Sequence, residues 1–169
     1  MIAALSKVHA TARKVLSDAG ARRMPTPLTK IARFLNVSIE YTPLDEELSG
    51  MAMIKGEQKL VWVNALHHPN RQRFTLAHEF GHHVLHADFL QDAVHVDRGI
   101  LRRDVLSGEG TDRREIEANA FASELLMPTS ELEATLPEHF DLDDPDVVSK
   151  LATRFRVSLA AMQYRLIRR

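Results

Sequence analysis

Residues 71–86 read RQRFTLAHEFGHHVLH, and their pattern predicts a long amphipathic helix with histidines set into its apolar face. Apolar side chains recur at the spacing of a helix. They are Phe74, Ala77, Phe80, Gly81, Val84 and Leu85. The sequence therefore predicts a helix over about 71–87, against which the rest of the chain packs.

Two of these histidines belong to an H-E-x-x-H motif. His78 and His82 are four residues apart, so their imidazoles lie on one helical face and can reach one metal ion. Glu79 is rotated by about 100° from His78, so it does not bind the same ion but can reach a water beside it. This is the arrangement of a metallopeptidase general base, and the alternative is a pair of surface histidines on a charged helix.

A catalytic zinc ion needs a third protein ligand and an open position. His86 lies about 12 Å from His78 along the helix axis, too far for both to bind one ion. His83 points away from the ligand face. We therefore expect His83 and His86 to be exposed or to support the ligands, and the third ligand to come from another helix.

A second helix, predicted over about 112–127, offers Glu115, Glu117 and Glu124. Glu115 lies at the centre of a mostly apolar stripe, whereas Glu117 points nearly the opposite way. The stripe consists of Ala118, Asn119, Ala122 and Leu126. A carboxylate in a buried stripe is costly unless it is paired or bound to a metal, which favours Glu115 as the ligand.

Two alternatives remain for this helix. Asp112 and Glu115 have the spacing of a capping box, in which Asp112 is the N-cap and Glu115 bonds back to it. Asn119, four residues after Glu115, can hold the carboxylate in a ligating position, or it can simply bond to backbone.

The remaining pattern predicts an α+β fold. Residues 37–41 alternate like a half-buried strand, and 51–54 and 60–63 flank a polar turn as in a hairpin. We expect a mostly helical domain with a small antiparallel sheet of about three strands packed on the H-E-x-x-H helix. Further helices are predicted at about 3–18, after Pro27, and at 129–135, 145–154 and 158–168. Residues 88–110 are predicted to form a long, functional connection.

Composition bounds the class of protein. The 169 residues are 44% hydrophobic and 27% charged, which suits one globular domain over 1–169 with a helical subregion at about 129–169. The chain has no cysteine, so a metal site must use histidine and carboxylate, and a reducing cytoplasm is expected. Neither a signal peptide nor an apolar run of about 20 residues is present, so no membrane partner is expected.

The charge is uneven although the net charge is only -1. The segment between Pro145 and Arg169 contains six basic residues and only one acid, Asp146. The basic residues are Lys150, Arg154, Arg156, Arg165, Arg168 and Arg169. Because residues 151–158 also resemble part of a helix-turn-helix, a module that binds DNA through this tail is the rival hypothesis. The simpler interpretation is a solvated face on a packing helix.

Residues 71–86, followed by EIEANAFASELLMP over 115–128, closely resemble the ImmA/IrrE family of metallopeptidases. The likeness also covers stretches at 31–37, 48–50, 61–64 and 157–166, and thus most of the chain. The resemblance implies a zincin-like fold with zinc on His78, His82 and Glu115, and with Glu79 as the catalytic base.

The resemblance also implies a substrate class, helix-turn-helix repressors, whose cleavage switches on mobile-element or stress genes. We therefore expect a cytoplasmic zinc metallo-endopeptidase, with another divalent metal such as Mn²⁺ as the alternative cofactor. The competing function is a non-catalytic zinc-binding regulatory protein that binds a repressor or DNA. A second oxyanion donor is usual, and Tyr41, His86 and the arginines at 71–73 are the candidates.

Overall fold

The structure, a computed structural model, describes residues 2–97, 109–136 and 145–167 and has the predicted α+β architecture. Its elements are α1 (Ile2–Asp18), α2 (Leu28–Leu35), β1 (Val37–Thr42), β2 (Gly50–Lys55), β3 (Gln58–Asn64), α3 (Pro69–Leu85), α4 (Ala87–Leu90), β4 (His95–Asp97), α5 (Glu109–Leu126), α6 (Thr129–Thr135), α7 (Pro145–Phe155) and α8 (Leu159–Ile167).

Within the described residues, the sheet is mixed and has four strands, in the order β1-β3-β2-β4. The predicted hairpin is confirmed as β2 and β3, but β1 runs parallel to β3, and β4 adds to the other edge of β2. The expectation of about three antiparallel strands was therefore wrong. Alternation within β1 does not encode its direction, and a three-residue strand is too short to produce a detectable period.

The helix that carries the H-E-x-x-H motif, α3, is the centre of the fold. It packs against β2 and β3 on one side and against α5 on the other, and α1 covers α5. The contact between α3 and α5 is very close at Gly81, where a Cβ would lie 3.1 Å from the Ala118 Cα. One hydrophobic cluster extends from α1 through the sheet and α3 to α8.

The C-terminal helices are tied to this core by a buried ion pair. Glu124, at the end of α5, is fully buried and accepts hydrogen bonds from Arg165 of α8, and from the backbone N–H and hydroxyl of Thr129. Arg13 of α1 reaches the same carboxylate at 3.1 Å. Arg165 is therefore part of the core and not of a basic surface.

The other basic residues of the tail divide into two groups. Lys150, Arg154 and Arg156 are exposed on or beside α7, as a solvated helix face would be. Arg168 and Arg169 lie outside the described residues. None of the helices in the described part of the chain combines the length and the apolar character that a bilayer span requires.

The connection predicted over 88–110 contains more structure than expected. It includes most of α4 and all of β4, and its last two residues belong to α5, which begins at Glu109 and not at Asp112. Residues 98–108 of the predicted connection lie outside the described part of the chain. Because α5 begins three residues before Asp112, Asp112 is not its N-cap, and the capping alternative for Glu115 is wrong.

Candidate metal centre

Side chains from α3 and α5 converge at one point. The Nε2 atoms of His78 and His82 are 3.0 Å apart. Glu115 places one carboxylate oxygen 3.2 Å from His78 Nε2 and the other 3.2 Å from His82 Nε2. The helical spacing of the histidines and the close packing of α5 on α3 together produce this cluster.

The cluster fits a divalent metal ion. A tetrahedral zinc with bonds of about 2.0–2.1 Å keeps its ligand atoms about 3.3 Å apart, which matches the three separations above. Imidazole and carboxylate are also donors that zinc accepts. Four groups, namely His78, His82, Glu115 and His95, offer ligand atoms that all lie within 4.8 Å of one another.

The electrostatics of the cluster favour one positive charge. Burial opposes protonation of His78, but the hydrogen bond to Glu115 and the charges of Asp97 and Glu79 outweigh it and raise its pKa to about 9. Burial lowers the pKa of His82 to about 3, although Glu115 opposes the shift. These shifts favour a protonated His78 beside a neutral His82. A bound cation would supply positive charge in place of that proton.

Glu115 is held in its ionised form. Burial alone would raise the pKa of its carboxyl, but hydrogen bonds from His78 and His82 hold it well below the usual range. A carboxylate that stays ionised in a half-buried position is available as a metal ligand at any ordinary pH.

Glu79 lies beside the cluster in a different environment. Its side chain is fully buried, and neither carboxylate oxygen has a hydrogen-bond partner in the part of the chain that the structure describes. Burial raises its pKa well above the usual value, although the charge of His78 opposes the shift. Gly50 of β2 makes room for it, since a Cβ there would lie 3.3 Å from Glu79 Oε1. A buried carboxyl with free oxygens is suited to taking up and releasing a proton.

A chain of polar contacts continues behind His82. Its Nδ1 lies 3.3 Å from His86 Nδ1, and His86 Nε2 lies 3.0 Å from a carboxylate oxygen of Glu117. Arg113 donates to the other oxygen of that carboxylate at 2.9 Å. Glu117 was expected to point nearly opposite to Glu115. It nevertheless reaches a histidine, His86, which directly follows α3.

Two other predicted residues have less direct positions. His83 is buried, and its Nε2 lies 3.1 Å from the Leu60 carbonyl oxygen, so it supports the contact of α3 with β3 and is not exposed as one alternative had it. Among the described residues, no hydrogen bond joins Asn119 to Glu115, and a supporting role for Asn119 stays a prediction.

The candidates for a second oxyanion donor are engaged or distant. Arg71 donates to the Ser49 hydroxyl and Arg73 to the Thr26 carbonyl, both at 3.0 Å. Tyr41 is half exposed on β1, at the opposite edge of the sheet from β4.

Sequence reasoning missed His95 and Asp97 of β4. His95 Nε2 lies 3.4 Å from Glu115 Oε1, and its ring centroid is 4.2 Å from that of His82. Asp97 forms a second possible ligand group with His78 and Glu79. The only available signal was a short alternation around His95, because pairing with a strand more than 40 residues earlier leaves no local pattern.

Comparison with known proteins places these residues in a family context. A family model for the IrrE N-terminal-like domain, peptidase M78, matches residues 32–167. The chain is 26% identical over 120 residues to "Uncharacterized immunity region protein 2" of Bacillus phage phi105, covering 71% of this chain and 70% of the relative. It is 33% identical over 115 residues to "Radiation response metalloprotease IrrE" of Deinococcus radiodurans, covering 65% of this chain and 31% of the relative.

Among solved structures, a chain described as a Mycobacterium tuberculosis transcriptional regulator shares the fold. The TM-score is 0.61 at 19% sequence identity, over 93% of this chain and 45% of the other. The present chain thus spans less than half the length of the mycobacterial protein and about a third of the Deinococcus protein.

Proposed function

Because the chain belongs to the peptidase M78 family of IrrE N-terminal-like domains, we propose that it is a zinc-dependent endopeptidase that hydrolyses a peptide bond in a protein substrate. The observation that carries the proposal is the convergence of His78, His82 and Glu115 beside the buried carboxyl of Glu79. We further propose that the substrate is a helix-turn-helix repressor, whose cleavage derepresses mobile-element or stress genes.

The names of two relatives support a repressor as the substrate. One is named as an immunity region protein of a phage and another as a radiation response metalloprotease. A protease acting on a repressor accounts for both contexts, since loss of the repressor releases the genes that it silences. The single hydrophobic cluster of the described residues supports one metallopeptidase domain over 1–169, with the helices after about 129 as part of it.

His78, His82 and Glu115 are the proposed zinc ligands. A bound zinc ion would acidify water to a pKa of about 7 and polarise the scissile carbonyl. Glu117 and His86 fix the orientation of the His82 ring, because His86 contacts the nitrogen that faces away from Glu115.

Glu79 is the proposed general base and acid. It takes a proton from the attacking water and delivers it to the amine nitrogen as the peptide C–N bond breaks. Its burial favours the protonated form that this transfer produces, so Glu79 holds the proton until the amine nitrogen accepts it. The site excludes bulk water, since His82 and Glu79 are fully buried.

The test is cleavage of purified helix-turn-helix repressors encoded next to the gene, followed by mass spectrometry of the products. We expect the zinc-loaded protein to cut one of them at a defined bond, and Glu79→Gln to retain zinc but lose about 10²–10⁴-fold in rate. Glu57→Gln, a substitution at an exposed position between β2 and β3, is the matched control and should cleave normally. Undiminished cleavage by Glu79→Gln would contradict the base assignment.

A second function, zinc-dependent capture of a repressor without cleavage, is favoured by one observation. Among the four converging groups, only Glu115 keeps as much as 30% of its side chain exposed, so the centre is almost closed. If this function is correct, zinc-loaded protein binds the repressor and a chelator releases it, with no product formed.

A further inference from the structure

The segment from α4 to β4 lies across the site and is attached to the edge of the sheet. Leu90 is fully buried, and the Asp92 N–H donates to the Ile54 carbonyl at 2.8 Å. From there the chain turns and β4 pairs antiparallel with β2, with His95 opposite Ala52 and Asp97 opposite Gly50. We name residues 87–97 the covering segment.

This segment brings His95 to the metal site. Its Nε2 is 3.4 Å from Glu115 Oε1, close to the 3.2 Å that separates His78 and His82 from Glu115. The side chain is only 10% exposed, and Nε2 has no hydrogen-bond partner within the described ranges. A buried ring nitrogen without a partner is costly, and a metal ion is the partner that this environment offers.

The position of the ring is held by an aromatic and a cation. Phe89 of α4 contacts His95 edge to face, with ring centroids 5.6 Å apart. The guanidinium of Arg114, next to Glu115 on α5, lies 4.0 Å from the centroid of the Phe89 ring. The covering segment is thus anchored both to β2 and to the helix that supplies the carboxylate ligand.

We propose that His95 is a fourth protein donor to the metal and that β4 keeps the site closed until an extended segment of the protein substrate replaces it along β2. The proposal deepens the proposed function and rests on it. Four protein donors are the mark of a structural zinc site, whereas a catalytic site keeps one position open. Catalysis therefore requires that His95 leave, and its three-residue strand makes few bonds to oppose this.

The same movement uncovers Glu79. Its carboxyl packs against Gly50, and Gly50 is the residue that Asp97 pairs with. Removal of β4 thus exposes the general base and the edge of β2 together. An extended peptide that takes over this edge gains the backbone hydrogen bonds that β4 gives up, as in other cases of strand addition.

The test uses the full chain loaded with Co²⁺, whose visible absorption reports the ligands, and azide as an added anion. We expect azide to leave the wild-type spectrum unchanged and to alter that of His95→Ala, because only the variant has an open position. Zinc affinity, measured by competition with a chelator, should fall by about tenfold or more in His95→Ala. Val96→Ala, with its side chain on the other face of the same strand, should behave like wild type in both measurements.

Phe89→Ala provides a second variant that keeps every donor. It removes the ring that holds His95, so azide should bind the cobalt form more weakly than in His95→Ala but measurably. Wild-type azide binding equal to that of His95→Ala, or zinc affinity unchanged by the substitution, would overturn the proposal. A loss of cleavage at saturating zinc with unchanged affinity would instead assign His95 to the carbonyl oxygen of the substrate, and would also overturn it.

These measurements separate the two proposals, since the metal readouts do not require a substrate. If azide binding and zinc affinity change as expected while no variant cleaves a repressor, His95 is a donor and the proposed function fails. If the wild type cleaves and neither metal readout responds to His95→Ala, the function stands and the closing role of β4 is rejected.

Discussion

Gly81 of α3 lies directly against the backbone of Ala118 in α5. A Cβ on Gly81 would be 3.1 Å from the Ala118 Cα and 3.2 Å from its carbonyl oxygen. Neither atom belongs to a flexible side chain, so this contact fixes the separation of the two helices. It thereby fixes the distance between the histidines of α3 and the carboxylate of Glu115.

Gly81→Ala should push the helices apart by a few tenths of an ångström. We expect weaker zinc binding and a free energy of unfolding lower by about 1–3 kcal/mol, because overpacking outweighs the roughly 0.5–1 kcal/mol by which alanine favours a helix. Zinc competition and urea denaturation measure the two effects. Gly56→Ala is the control: Gly56 has φ 59° in a turn, so its substitution should lower stability without changing zinc affinity. A more stable Gly81→Ala protein with unchanged zinc affinity would contradict the argument.

Glu117 should contribute to zinc binding although it does not touch the ion's proposed ligand atoms. Its carboxylate accepts from His86, which contacts the far nitrogen of His82. Glu117→Gln weakens this chain, and we expect zinc affinity to fall by about 10–100-fold. Calorimetric titration with zinc measures it. Glu133→Gln, at an exposed position on α6, serves as the control, and equal affinities for the two variants would show that the chain has no effect.

The parts of the site that sequence could predict are those with a local pattern. The period of α3 and the spacing of His78 and His82 lie within a few residues, and the stripe on α5 singled out Glu115. The direction of β1 and the pairing of β4 depend on contacts across many residues, and no local period encodes them. His95 was missed for that reason.

The angular positions of residues on a single helix predicted only part of these contacts. They placed Glu117 opposite Glu115 and His83 off the ligand face, which is correct for an isolated helix. These angles do not indicate which neighbouring element packs against the opposite face of the helix. His83 contacts the Leu60 carbonyl of β3, and Glu117 contacts His86, the residue that follows α3.

The metal-free protein should be most stable near pH 6.5. The pKa of His78 is raised to about 9, so its stabilising effect is complete below about 6.5, the ordinary histidine value, and is lost as pH rises towards 9. The raised pKa of Glu79 also lowers the stability of the folded protein as pH rises. The pKa values of His82 and His83 are lowered to about 3 and about 4, so both favour unfolding as pH falls below 6.5.

Thermal unfolding at pH 5, 6.5 and 9, with chelator or with saturating zinc, tests this. The chelated protein should lose stability on both sides of pH 6.5. Zinc should remove the decline between 6.5 and 9, because the ion supplies the positive charge that His78 loses, and it stabilises the folded state that binds it. A chelated protein whose melting temperature rises steadily to pH 9 would be inconsistent with a protonated His78 beside a neutral His82.

The buried pair of Glu124 and Arg165 should be the most sensitive polar contact outside the site. Glu124→Gln leaves the Arg165 guanidinium buried without a counter-charge, and we expect the free energy of unfolding to fall by about 3–5 kcal/mol. Arg13→Gln removes the partly exposed partner of the same carboxylate, and it should lower the free energy of unfolding by less than about 1 kcal/mol. Urea denaturation measures both variants.

The double variant Glu124→Leu with Arg165→Met distinguishes a lost attraction from a stranded charge. Both charged side chains are removed together, so no uncompensated charge stays in the core. The free energy of unfolding should therefore fall by less than in Glu124→Gln alone. If the double variant is the less stable of the two, the attraction itself holds α8 on α5. If Arg13→Gln proves as damaging as Glu124→Gln, the exposed arginine and not the buried one carries the contact, and α8 is attached by its apolar side chains.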